Sequence, residues 1–195
     1  MAALSSGESL EFAGVTFRLA RRNVRRARIE FDPPSPLLVF PRRSNPRAVL
    51  EANWDSIARR YERARVKWRT AAGLSLLERD ENETRRLVEI YIRRYEKMLN
   101  VKCRNLKWRQ MRSRWGTCSG DGTIRLNRYL RHLPEPLVAY VVFHECLHLV
   151  IMGHGSRFRR AVAGVFPHYR QLDRELELYG IRMRHPNLGT VLVNL

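Results

Sequence analysis

The stretch HECLHLVIMGH, residues 144 to 154, holds three of the chain's six histidines. Residues four apart on a helix share a face, so His144 and His148 can offer their imidazoles to one point. Glu145 lies one residue on, about 100° around the helix, beside that point but not a ligand to it. H-E-x-x-H on a helix is a metalloprotease pattern, two imidazoles for zinc and a glutamate as general base. A catalytic zinc takes three protein ligands and leaves one position open to water. Gly153 is expected to end the helix and reverse the chain, which makes His154 the third ligand. One Zn2+ on His144, His148 and His154 would acidify water and polarise a carbonyl, and Glu145 would carry the proton to a leaving amine. The implied chemistry is amide hydrolysis, most simply of a peptide bond. Three imidazoles suit zinc well. Cys146 faces away from the ligand pair and reads as a small buried residue.

Several elements must hold these groups. Pro134 and Pro136 can open the motif's helix, which is apolar nearly all round between them and Gly153, and is therefore expected inside the domain. Residues 102–131 read as a small antiparallel sheet: Leu106 and Trp108 alternate with Lys107 and Arg109, SGDGT (119–123) is a turn signal, and Ile124 and Leu126 flank Arg125. Upstream, ARIEF (27–31) and LLVF (37–40) read as strands. One long helix is expected from Asn45, with an apolar stripe of Leu50, Trp54, Ile57, Tyr61, Ala64 and Trp68. After a break at AAGLS (71–75), a second helix carries Val88, Tyr91, Tyr95 and Met98. Another helical stretch starts near 157, breaks or kinks at Pro167, and carries Leu172, Leu176 and Tyr179. The expected class is α+β: a single domain over 14–180 with a small antiparallel sheet packed on an active-site helix, N-terminal strands and long helices. Residues 1–13 and 181–195 are expected as tails.

Composition narrows the partners. The longest apolar run, PLVAYVVF (136–143), is far short of the ~18 residues a membrane helix needs, so no membrane partner is expected. The N-terminal stretch lacks a basic start followed by an apolar run, and Cys103, Cys118 and Cys146 form no even framework; a cytoplasmic protein with reduced thiols is expected. Lys and Arg total 37 against 19 Asp and Glu, a net charge of +18 that favours phosphate backbones. Residues 102–131 alone carry nine basic residues and one acidic, Asp121. Two classes of function therefore stand. One is a zinc peptidase acting on peptides or proteins, including proteins bound to nucleic acid. The other is a basic nucleic-acid-binding module with a structural zinc. Glu145 separates them, because a closed structural site needs a fourth ligand and no base. Cys118 is the candidate for that ligand.

SRWGTCSGDGTIRLNRYL (113–130), YVVFHECLHL (140–149) and GHGSRF (153–158) occur in that order. With these segments the chain resembles the YgjP-like metallopeptidases, relatives of the SprT/Spartan zincins. The resemblance implies a single-zinc, mixed α+β peptidase fold with His144, His148 and His154 as ligands and Glu145 as base. It also implies that the sheet around 106–127 lies over the active-site helix, with Arg114, Trp115 and Asn127 structural or cleft-lining and the structural role favoured. The family often has Trp where Arg159 stands and Asn where Gly153 stands; both departures bear on the pocket wall. His168 and Tyr169 are candidate oxyanion donors, with solvent for His168 and core packing for Tyr169 the favoured alternatives.

Overall fold

A hairpin opens the fold: β1 (Ser9–Phe12) pairs antiparallel with β2 (Val15–Arg22) around Ala13 and Gly14, both at positive φ. The computed structural model describes residues 8–192, with side chains through 190. β3 (Arg28–Glu30) and β4 (Leu37–Pro41) complete a sheet in the order β1-β2-β4-β3, in which β2 and β4 run parallel. Phe17, Leu38 and Phe40 are fully buried in it, together with Leu50 and Ile57 from the helices that follow. Those helices are α1 (Pro46–Glu51) and α2 (Trp54–Ala72). The Asn45 side chain caps α1 by accepting from the Arg47 N–H, as expected. The single long helix is divided, however. The Asn53 side-chain amide donates to the Val49 carbonyl at 2.9 Å, and the helix pauses at 52–53. Trp68 is buried at the far end of α2.

The residues up to Gly73, with those from His185 onward, form one compact unit; Leu74–Arg184 form another. The second unit begins with α3 (Glu81–Leu99), capped by the Asp80 carboxylate, which accepts from the Asn82 and Glu83 N–H groups. Its buried stripe is Val88, Ile92 and Tyr95; Met98, expected in the stripe, is exposed. Next come β5 (Asn105–Arg109), β6 (Gly116–Cys118) and β7 (Thr123–Asn127), in the order β5-β7-β6. This sheet is mixed rather than antiparallel: β6 and β7 form a hairpin, but β5 runs parallel to β7. The 110–115 loop carries the chain past the central position to the far edge, and the hairpin then brings β7 back between the two edge strands. Leu106 and Trp108 face the core, and Lys107 and Arg109 face outward, as the alternation predicts.

A 3-10 turn over Arg128–His132 leads to α4 (Glu135–Leu147). Every residue of α4 from Leu137 to Phe143 is buried. α5 (Ser156–Val165) and α6 (Tyr169–Arg184) are separated around Pro167, and Leu176 and Tyr179 are buried on α6. Residues from His185 onward, in the first unit, include α7 (Leu188–Leu192). The α+β class is as expected, but the tails hold structure. Ser9–Phe12 pair in a sheet whose core takes Leu10 and Phe12, and 181–192 are helical over most of their length. Residues 1–7 and 193–195 of those expected tails lie outside the described residues.

Candidate active site

The last turn of α4 sets the first two histidines. The His148 N–H donates to the His144 carbonyl at 3.3 Å, so the two side chains sit one turn apart on a common face. α4 then ends at Leu147, six residues before the glycine expected to stop it. The Leu149 and Val150 N–H groups bond the Cys146 and Leu147 carbonyls at 3.0 Å, tightening the chain into a turn. Gly153 is not at positive φ, and a Cβ there would meet nothing within 4 Å. The reversal is therefore made by residues 148–151, not by the glycine.

That turn also orients a ring. His148 Nδ1 lies 3.0 Å from the Ile151 carbonyl oxygen, which can only accept, so Nδ1 carries the proton and Nε2 presents a bare lone pair. His154 Nε2 lies 3.2 Å from that atom and 3.0 Å from His144 Nε2. Three nitrogens about 2.05 Å from a tetrahedral ion would stand roughly 3.3 Å apart, close to this spacing. Neutral rings alone cannot satisfy the cluster. If His154 Nε2 donates to His148, it faces His144 without a lone pair to accept; if it accepts from His144, two lone pairs meet at His148. A cation resolves both contacts, and the donor set fits zinc. Burial, with the neighbouring His148 and His154, pushes His144 down to about 4, and burial also lowers His148, so these two rings are neutral and ready to ligate. Among the described residues no fourth His, Cys, Asp or Glu joins this group. Cys118 lines the cleft but is not part of the cluster, and burial pushes its thiol up to about 11.

Two supports were not read from the sequence. Phe158, 3% exposed at the start of α5, lies with its ring 4.7–4.9 Å from all three imidazole centroids. Arg159 donates from Nη1 to the His154 carbonyl at 2.7 Å, so this departure from the family pattern tethers the backbone of the third histidine. The only signal for either was its position four or five residues after His154.

Glu145 lines the same cleft as the three histidines. It is 6% exposed, and burial raises its carboxyl to about 7 against the pull of the Arg114 cation. The backbone of β6 covers it: a Cβ at Gly116 would lie 2.6 Å from Glu145 Cγ and 2.7 Å from Oε1. Only glycine admits so close an approach. The histidines, Glu145, Arg114, Gly116, Thr117 and Tyr140 line a cleft of about 540 Å³. The Tyr140 hydroxyl donates to Asp173 Oδ1 at 2.7 Å. Asn127, 2% exposed, and Trp115 tie the loop before β6 to its neighbours, and Arg114 and Trp115 both line the cleft, against the structural role favoured for them. His168 and Tyr169 do not line it; they border a separate surface depression. Cys146 is fully buried, as expected.

A family model described as YgjP-like, metallopeptidase domain, matches residues 71–179. Among solved structures, the metallopeptidase zymogen jannalysin of Methanocaldococcus jannaschii is 24% identical, with 47% of this chain and 86% of that one covered and a TM-score of 0.41. The metallopeptidase zymogen abylysin of Pyrococcus abyssi is 27% identical, with 47% and 90% covered and a TM-score of 0.41. No curated protein matches the chain.

Proposed function

Since the chain belongs to the YgjP-like metallopeptidases, we propose that it is a zinc-dependent peptidase in which His144, His148 and His154 hold the ion and Glu145 is the general base. The observation that carries this reading is the convergence of three Nε2 atoms beside a buried carboxyl, with no fourth ligand among the described residues. Zinc held there would act as a Lewis acid on a substrate carbonyl and acidify water. Glu145 accepts the proton of the attacking water and delivers it to the amine nitrogen that leaves. A carboxyl near pH 7 serves both transfers, since it neither holds nor releases the proton too strongly. Gly116 lets β6 press on Glu145 and fix its direction. β6 is an edge strand of its sheet, so an extended substrate can lie along it by strand addition.

Substituting Glu145→Gln should leave zinc content at one ion per chain and lower hydrolysis of a casein-type substrate by about 10²-fold or more. His148→Ala should lose both metal and activity. Hydrolysis by Glu145→Gln at the wild-type rate would overturn the assignment.

One observation favours nucleic acid as a further partner, with the substrates then being proteins bound to it. Lys107 and Arg125 are direct partners in the β5–β7 register, and Arg109 lies on the same outward face. Like charges placed side by side across strands cost stability, and an anionic strand would offset that cost.

A further inference from the structure

We propose that the cleft is the first half of a longer substrate site: a second groove beyond Arg114 receives the continuing peptide, and Arg114 and Asp173 grip a main-chain amide where the two meet. The proposal rests on the peptidase reading above. The second groove has a volume of about 350 Å³. It shares Ser113, Arg114, Trp115, Asp173 and Leu176 with the cleft, so the two abut along these residues. Gly180 and Met183 carry it on along α6.

At the shared stretch the walls differ in kind. The 110–115 loop presents the Arg114 guanidinium, which has no hydrogen-bond or ion-pair partner among the described residues. α6 presents Asp173, whose Oδ1 takes the Tyr140 hydroxyl and whose Oδ2 is left for another donor. Guanidinium only donates and carboxylate only accepts. Each amide of an extended peptide carries one acceptor and one donor. The pair therefore matches the main chain itself, whatever its side chains. Both walls are held in place. The buried Asn127 side chain donates to the Met111 and Arg114 carbonyls at 2.8 and 2.7 Å, and Trp115 Nε1 donates to the Leu176 carbonyl at 3.2 Å.

The test compares a short chromogenic peptide with the same sequence lengthened on each side in turn, using zinc-loaded full-length protein. The wild type should cleave one lengthened peptide with kcat/KM about tenfold above the short one or more, chiefly through KM. Gly180→Leu should fill the groove, since a Cβ there meets only an Arg184 guanidinium nitrogen at 3.4 Å. It should collapse the length preference, as should Arg114→Ala and Asp173→Asn, with Arg114→Lys restoring part of it. Binding of the labelled long peptide to Glu145→Gln protein gives a second readout that needs no turnover, and Gly180→Leu should weaken it about tenfold. Equal kcat/KM for both lengths, or a preference and a binding affinity that survive Gly180→Leu, would overturn the proposal. Wild-type activity in Glu145→Gln would instead count against the underlying mechanism, so the two failures can be told apart.

Discussion

Gly116 and Glu145 show what a single side chain decides at this site. A methyl group on residue 116 would sit 2.6 Å from the glutamate's Cγ and 2.7 Å from its Oε1, so the side chain has to move. Gly116→Ala should therefore swing the carboxyl away while leaving the three imidazoles untouched. The expected outcome is full zinc content with activity lowered about tenfold or more. Parallel metal analysis and casein hydrolysis would check it, and unchanged activity would show that Glu145 does not depend on this seat. Phe158 is the counterpart beneath the three histidines. Phe158→Ala removes the ring beneath three histidines and should lower stability by about 3–5 kcal/mol in denaturant unfolding and weaken zinc retention. The pairing of His144 and His148 was legible because four-residue spacing on a helix is a local rule. The seat at Gly116 was not, because it arises where a strand 29 positions upstream crosses that helix. Gly153 misled for a related reason: a glycine after a helix suggests a left-handed turn, but here hydrogen bonds from Leu149 and Val150 reverse the chain first.

Among the elements, the β6–β7 hairpin depends on Asp121. Its carboxylate accepts from Ser119 Oγ, the Thr123 N–H and Thr123 Oγ1, which hold it down to about 2 from an ordinary 3.8. A carboxyl whose folded-state pKa is depressed stabilises fully above its unfolded value and loses that contribution as pH falls through the folded one. Thermal unfolding across pH 2–6 should therefore show the wild type losing more midpoint temperature between about pH 4 and 2 than Asp121→Ala. Identical slopes would mean the turn does not draw on this charge. Asn127 couples β7 to the loop before β6, and Asn127→Ala should cost about 2–4 kcal/mol in denaturant unfolding by stranding buried backbone partners. The sequence disclosed β5 and β7 by alternation and the turn by its glycines, but not β6. It did not disclose the parallel pairing of β5 with β7, because alternation is the same in either direction and only the path of residues 110–115 decides it.

For the molecule as a whole, the dominant quantity is the net charge of +18. Binding to single-stranded nucleic acid should be weak and should fall steeply between low and moderate salt, with Lys107→Glu and Arg109→Glu reducing the slope. An affinity indifferent to salt would remove the electrostatic reading. The division into two units was hidden for a different reason. The break at Gly73 looks like any helix-to-helix loop, and the assignment of residues from His185 onward to the first unit rests on α7 meeting α2, far away in sequence, which no local pattern records.

Phe158 touches every ring of the proposed centre from one side. A phenyl group so placed is a resident spectroscopic probe. The magnetic shielding of its protons depends on the tilt of three neighbouring rings, so labelling this one residue should let the arrival of an ion be watched by resonance, atom by atom, with no substrate in the tube.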